Sequence, residues 1–271
     1  EGVFEVLNVT PDGVSKAIAD PRIVAVTLTG SVRAGTAIGA QAGAALKKCV
    51  LELGGCDPFI VLNDADLDAA VQAAVIGRFQ NSGQVCAAAK RLIIEAGVVD
   101  AFTAKFVEAS RQLVMGDPTS THTYVGPMAR FDLRDELHGQ VQATLEEGAT
   151  LLLGGHKVAG AANYYEPTVL ADVTDQMTSF KQELFGPVAS IITARDARHA
   201  LQLANRRHKQ EAERREETEQ RLRENRYLSA PTDTRNASAL ATMLAMSAPD
   251  RLDVTNERGE PEALAALHGL R

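Results

Sequence analysis

Short runs of β-branched residues alternate with longer helical patterns along the first three-quarters of the chain. The apolar run at 23–30 predicts a buried strand, and the alanine-rich stretch at 31–48 predicts a helix directly after it. A second helix is predicted at 65–80, where apolar residues recur at helical spacing behind an acidic first turn that suits the helix dipole. Because elements in this order build βαβ units, the sequence predicts an α/β fold with mostly parallel sheets.

The same alternation continues as far as Asn205, and no segment repeats another. Each predicted strand is short, and each is followed by a glycine-containing or polar turn or by a helical pattern. Further strands are predicted at 49–55, 58–64, 91–97, 150–155, 166–173 and 187–194, and further helices at 98–114 and 129–148.

The composition changes abruptly after Asn205. Residues 206–226 carry eight basic and six acidic side chains and almost no apolar ones. Opposite charges four residues apart allow a solvated helix, but the stretch offers no apolar stripe to bury. Residues 227–271 are rich in Ser, Pro, Asp and Ala and are expected to be weakly ordered.

Charge and cysteine content exclude several classes of protein. The formal charge of −7 argues against general binding to nucleic acid or to an anionic membrane surface, because both would repel the chain. No stretch approaches the roughly 18 apolar residues that span a bilayer, and the first residues lack a signal-peptide pattern. The three cysteines, Cys49, Cys56 and Cys86, lack metal-type spacing. We therefore expect no disulfide framework, no metal site and a cytoplasmic location.

Cys86 follows a polar, glycine-containing loop and precedes three alanines, in NSGQVCAAAKR. A cysteine in this setting can face a cleft as a nucleophile, but the loop alone leaves an ordinary small core residue as the alternative. The free thiol titrates near ~8.5, so a nucleophile needs an activating partner. A cysteine hydrolase is disfavoured, because neither His122 nor His138 is spaced as a partner and no Asp completes a triad.

Glu52 lies near the end of an otherwise apolar predicted strand and is followed by Gly54 and Gly55. An ionisable group there is unfavourable unless it faces a cavity, a partner or solvent. The two glycines allow a substrate or another segment of backbone to approach closely. A general base and a solvated carboxylate at the strand end remain equal alternatives for Glu52 on the pattern alone.

Two further motifs adjoin predicted strands. In VTLTGSVRAG at 26–35, a strand runs through Gly and Ser into a helix, where Ser31 is either a plain N-cap or a donor to a phosphate. In KQELFGPVAS at 181–190, an acidic residue precedes a rigid turn, for which a purely structural role is the alternative. Arg78 and Arg91 flank the Cys86 segment, where either can meet a substrate carboxylate, although a structural or solvated arginine is the favoured interpretation for both.

Taken together, these motifs resemble the aldehyde dehydrogenase superfamily in order and spacing. TGS at 29–31 is followed by LELGG at 51–55, by GQVC at 83–86 and by ELFGP at 183–187, with Cys86 34 positions after Glu52. The resemblance covers about residues 1–205. The segments NSGQVCAAAKR and GPMARFDLRDEL are most similar to those of bacterial succinate-semialdehyde dehydrogenases.

The resemblance implies a reaction for Cys86 and Glu52. Cys86 would attack the aldehyde carbon to form a thiohemiacetal, and loss of hydride to a nicotinamide would leave a thioester. Glu52 would be the general base that activates water to hydrolyse the thioester, so that the product is a carboxylate. The implied substrate is succinate semialdehyde or a similar small aldehyde.

The resemblance also implies NAD or NADP as cofactor. Gly30 and Ser31 match the pyrophosphate turn, and Glu183 matches the carboxylate that holds the hydroxyls of the nicotinamide-side ribose. Gly54 and Gly55 would line the passage between Glu52 and the cofactor. The implied cofactor-binding residues are Gly30, Ser31, Gly35, Leu53, Gly54, Glu183 and Phe185.

The pattern of the family is matched only in part. Nothing matches its first βαβ units or its oxyanion asparagine, and residues 206–271 match nothing that follows in the family. We therefore expect a partial dinucleotide-binding domain at 1–53, a truncated catalytic domain at 54–205, a charged helix at 206–226 and a tail at 227–271. The alternative function is a truncated or frame-shifted remnant without a working cofactor site. Homo-oligomers are implied for the family, but its pairing strand has no match here.

Overall fold

The computed structural model describes residues 3–160 and 162–206, and its elements alternate as predicted. The helices are α1 (Pro11–Ala19), α2 (Val32–Ala44), α3 (Leu67–Phe79), α4 (Val99–Arg111), α5 (Phe131–Glu146), α6 (Thr178–Lys181) and α7, which covers 197–206. The strands are β1 (Ala25–Gly30), β2 (Lys48–Leu53), β3 (Asp57–Val61), β4 (Ala89–Glu95), β5 (Thr150–Leu153), β6 (Thr168–Ala171) and β7 (Val188–Ala194).

The described strands form two sheets. β1 and β2 pair in parallel, with Thr29 opposite Glu52. The second sheet has the order β3-β4-β7-β6-β5, and every pair in it is parallel except β5 with β6. The predicted α/β fold with mostly parallel sheets is therefore confirmed. The chain passes from one sheet to the other at 54–56, next to the predicted boundary between the first two domains, although the domain division itself stays a prediction.

Helix α1 is the main element that the sequence prediction lacked. Thr10 caps it, since its hydroxyl oxygen accepts a hydrogen bond from the Gly13 amide, and Pro11 occupies the first helical position. Both residues are standard signals for a helix start. The predicted helix at 206–226, apart from its first residue, and the predicted tail at 227–271 lie outside the described residues.

The five-stranded sheet is buried on both faces, as parallel sheets usually are. In β4, Ile93 belongs to one core cluster and Leu92 and Ile94 belong to the other, and all three are fully buried. The first face packs on α5 and the second on α3 and α4. Stacked rings fill the second face at centroid distances of 5.6 and 5.9 Å, from Phe79, Phe102 and Phe106.

The two-stranded sheet is more open, and β1 has no buried residue, so the prediction of a buried strand at 23–30 is right for the strand and wrong for its burial. Helix α2 approaches β2 closely, since a Cβ on Gly35 would lie 2.6 Å from the Leu53 side chain. Val24 and Val50 beside or within the strands remain exposed. None of the helices in the described ranges is long and apolar enough to cross a membrane.

His138 on α5 contacts the buried ring of Tyr165. Its Nδ1 lies 3.1 Å from the Tyr165 hydroxyl, and burial raises the pKa of that phenol. Partial burial lowers the pKa of His138, and the nearby Lys157 and His156 lower it further. The neutral imidazole is therefore favoured in the folded protein.

We predict that His138 makes the protein less stable in mild acid. The unfolded chain binds a proton near pH ~6.5 while folded His138 does not, so stability falls as pH drops through this value toward the lowered folded pKa. Urea unfolding between pH ~7.5 and ~5 should show a weaker pH dependence in His138→Gln than in the wild type. His122→Gln, in an exposed loop, is the control. Identical pH profiles for His138→Gln and the wild type would contradict this account.

Candidate active site

The loop that carries Cys86 has an unusual backbone. Asn81 and Ser82 have φ of 52° and 54°, and Gly83 follows at 70°, so three successive residues are left-handed. Non-glycine residues rarely adopt this region, and such strain often marks functional sites. Cys86 is exposed beyond the turn, whereas Cys56 is buried. Cys86 is therefore not a core residue, and its role as a nucleophile stays a prediction.

The loop is fixed by contacts from both of its sides. The Ser82 hydroxyl donates to the Gly126 carbonyl at 2.9 Å, and the Gln84 side-chain oxygen accepts from the Ala129 amide at 2.9 Å. A Cβ on Gly83 would overlap the carbonyl of Gly186. The thiol loop thus packs directly against the Phe-Gly-Pro turn.

Arg78 clamps the same turn from the end of α3. The residue is completely buried, and its guanidinium donates to the carbonyls of Val188 at 2.6 Å, Leu184 at 3.0 Å and Gly186. Burial lowers the pKa of Arg78 to about 10, against the opposing effects of Cys56 and Glu183, so it remains protonated at neutral pH. The structural interpretation of Arg78 agrees with these contacts.

Arg91 has an equivalent role in the first residues of β4. It is 2% exposed and donates to the carbonyls of Cys56 at 2.9 Å, Leu203 at 3.2 Å and Ala204 at 3.1 Å. Its guanidinium also lies 5.0 Å from the ring centroid of Phe180. Arg91 therefore ties the crossing between the sheets to α7.

Glu183 meets the crossing between the sheets at Gly54 and Gly55. Its Oε1 accepts from the Gly55 amide at 3.2 Å, and a Cβ on Gly54 would overlap its Oε2. A side chain at position 54 would therefore displace the carboxylate. The backbone carbonyl of Cys86 is 3.8 Å from the Cβ position of Gly55. Three motifs separated by up to about 130 residues in sequence thus meet at this point.

Lys90 is the site residue that the sequence reasoning missed. Its side chain is 1% exposed, and Nζ lies 2.8 Å from Oε1 of Glu183 and 2.6 Å from the carbonyl oxygen of Cys86. The sequence shows only a lysine directly before the strand predicted at 91–97, whereas the structure begins β4 at Ala89 and buries its first six residues. Lysine is almost never fully buried unless it is paired.

The remaining site residues lie along β1, β2 and α2, apart from Phe185 in the Phe-Gly-Pro turn. Ser31 caps α2, because its Oγ accepts from the Ala34 amide at 3.2 Å, and Gly30 is opposite Leu53 in the register of the two strands. Glu52 is exposed. Phe185 is 36% exposed and faces Lys90, whose Nζ lies 5.9 Å from its ring centroid.

These motifs mark the class of protein to which the chain belongs. Residues 1–209 match the aldehyde dehydrogenase family, and the chain is a member of that family. It is 69% identical over 205 residues to the succinate semialdehyde dehydrogenase [NAD(P)+] Sad of Escherichia coli (strain K12), a match that covers 76% of this chain and 44% of that protein.

Solved structures show the same relationship. An NAD-dependent aldehyde dehydrogenase from Sinorhizobium meliloti superposes with a TM-score of 0.73 at 41% identity, over 76% of this chain and 41% of that one. Succinic semialdehyde dehydrogenase from Streptococcus pyogenes in complex with NADP+ gives 0.70 at 36% identity, over 73% and 43%. The chain therefore spans less than half the length of these relatives.

We predict that Arg78→Met destabilises the protein strongly. Methionine approximates the buried volume but removes the guanidinium donor from three carbonyls, of which that of Gly186 keeps another donor, the Val188 amide. The loss should lower the free energy of unfolding by about 3 kcal/mol. Urea denaturation followed by circular dichroism measures the change.

Arg111→Met is the matched control for Arg78→Met. The Arg111 side chain is 55% exposed and pairs with Glu108 on the surface, so its loss should change stability by less than about 0.5 kcal/mol. Equal effects of the two substitutions would show that the Arg78 clamp contributes nothing specific.

Proposed function

We propose that this chain carries the thiol chemistry of an NAD(P)-dependent aldehyde dehydrogenase. The proposed reaction oxidises a small aldehyde, with succinate semialdehyde as the first candidate, to its carboxylate. Membership of the family supports the class of reaction. Resemblance to succinate-semialdehyde dehydrogenases named for NADP+ or for NAD(P)+ supports the choice of substrate and cofactor.

The observation that carries the proposal is the meeting of three motifs around one buried ion pair. The exposed Cys86 thiol lies on a loop whose backbone carbonyl binds Lys90, and Lys90 pairs with Glu183. Glu183 in turn accepts from Gly55, three residues after Glu52. A nucleophile, a cofactor carboxylate and the segment that bears a base are therefore neighbours in the fold.

In the proposed reaction, the Cys86 thiolate adds to the aldehyde carbon, and the carbonyl oxygen takes the negative charge. When bound, NAD(P) supplies the acceptor for the hydride that leaves this carbon. The acyl group then remains on Cys86 as a thioester. Glu52 takes a proton from water, the hydroxide attacks the thioester, and the thiolate leaves as the carboxylate forms.

The residues present fit the nicotinamide side of such a cofactor. The Glu183 side chain is 21% exposed, and its Oε1 is already engaged by Lys90 and by the Gly55 amide. Within the described ranges Oε2 has no hydrogen-bond partner, so it can accept from a ribose hydroxyl. The first turn of α2 leaves amides without helical partners beside Gly30 and Ser31, which suits a phosphate.

We also propose the roles of the residues that line this cofactor site and the division of the chain. Gly35 and Leu53 bring α2 and β2 together, while Gly54 leaves room for the Glu183 carboxylate and Phe185 lies beside it. A partial cofactor domain at 1–53 and a catalytic domain at 54–205 are supported by the change of sheet between Leu53 and Asp57.

We predict that Cys86→Ser abolishes oxidation of succinate semialdehyde by the purified chain. Serine has a similar volume but is a far weaker nucleophile at neutral pH, so formation of reduced nicotinamide should fall to background. Cys49→Ser, at a half-buried position in β2, is the control and should leave turnover unchanged. Turnover by Cys86→Ser at the wild-type rate would contradict the assignment of Cys86 as the nucleophile. A wild-type chain that is folded but inactive would favour the remnant alternative.

A second substitution separates the two chemical steps. Glu52→Gln removes the base, so steady-state turnover should fall by ~10²–10⁴ while the thioester on Cys86 accumulates. Mass spectrometry of the intact protein detects the acyl group, and a burst of reduced nicotinamide accompanies it. Glu136→Gln, at an exposed position on α5, should behave as the wild type. A loss of the burst together with turnover would assign Glu52 to an earlier step.

A further inference from the structure

Lys90 is an ammonium group buried beside the candidate active site. A buried cation is tolerated only where charge and hydrogen-bond partners surround it. Its Nζ pairs with Oε1 of Glu183 at 2.8 Å and donates to the carbonyl of Cys86 at 2.6 Å, and it lies 5.9 Å from the ring centroid of Phe185. One amine thus contacts both the loop that carries the thiol and the segment that carries the carboxylate.

The two oxygens of Glu183 differ in their surroundings. Oε1 is held by Lys90 and by the amide of Gly55, whereas Oε2 has no hydrogen-bond partner in the described part of the chain. The carboxylate is partly open to solvent, with 21% of the side chain exposed. It therefore has one anchored oxygen and one that can accept from a hydroxyl donor.

We propose that Lys90 is a positioning residue that couples the carboxylate of Glu183 to the backbone of the Cys86 loop. The inference rests on the proposed function, in which a ribose hydroxyl donates to Glu183. By holding Oε1, Lys90 presents Oε2 to the diol of the ribose, and the same ammonium restrains the Cys86 carbonyl. A ribose on Glu183 therefore changes the restraint on the thiol loop, with no covalent step.

A lysine that served packing alone would behave differently. Its removal would alter thiol reactivity only through general loosening of the structure, and a change at Glu183 would add to that effect independently. If Lys90 is the link, Lys90→Met and Glu183→Gln break the same chain of contacts. Residues in one network show non-additive effects, so the double variant should resemble either single variant.

The test without cofactor measures how fast iodoacetamide alkylates Cys86, quantified by peptide mass spectrometry. Lys90→Met and Glu183→Gln should each change the rate at least about threefold in the same direction, and the double variant should match them. Labelling of Cys49 in β2 is the internal reference and should not change. Lys105→Met removes a lysine that is 49% exposed and paired with Asp68, and it should label as the wild type.

Three results would overturn the proposal in this test. The first is an unchanged labelling rate for Cys86 in Lys90→Met, and the second is an additive double variant. The third is a parallel rise in Cys49 labelling, which reveals general unfolding. Should Lys90→Met not fold, Glu183→Gln tests the link from the carboxylate side, where the side chain is partly exposed, and an unchanged Cys86 rate in it would likewise overturn the proposal.

Repeating the labelling with saturating NADP+ separates this inference from the proposed function. NADP+ should alter the labelling rate of Cys86 in the wild type, and Lys90→Met should lose most of that response. A response that persists fully in Lys90→Met would overturn the coupling. If NADP+ does not bind to the wild type, the proposed function fails, while the experiment without cofactor still decides the role of Lys90.

Discussion

Buried cations that donate to backbone carbonyls hold the thiol loop in place. Arg78 precedes the loop and Lys90 and Arg91 follow it, and each donates to main-chain oxygens of a different segment. An interior charge without such partners would be unfavourable by several kcal/mol. The three side chains therefore require the turn at 183–188 and the crossing at 54–56 to run beside the loop.

The Lys90–Glu183 pair is not explained by stability alone. Burying two opposite charges removes both from water, and well-packed apolar residues of similar volume are often as stable or more so. Here one member of the pair is almost completely buried while the other is partly open to solvent. That asymmetry suits an arrangement in which the interior partner sets the position of the accessible one, and it agrees with the coupling that we propose.

The sequence predicted the architecture better than it predicted the local geometry of the site. The helical spacing of apolar residues and the alternation of strands with helices extend over many residues, so they predict the parallel sheets and most of the helices. The position of Ser31 after a strand likewise predicts a possible helix cap. The sequence prediction lacks helix α1, although Thr10 and Pro11 are signals for a helix start. Lys90 was missed because a charged residue in a loop-to-strand segment is usually solvated. Only the pairing of β4 with β7 shows that Glu183 lies next to it.

The topology explains why distant motifs meet. β1 and β2 are parallel, so the Gly30–Ser31 turn and the residues after Glu52 lie at the same, carboxyl edge of their sheet. β3, β4 and β7 are also parallel, so the segments that precede them lie together at the amino edge of the other sheet. Those segments contain Gly54 and Gly55, Cys86 and Glu183. The chain crosses between the sheets in only three residues, which brings the two edges together and leaves little room for a side chain at Gly54. This arrangement places the segment after Glu52 beside the loop that carries Cys86, and it supports the proposal that the two residues act in one reaction.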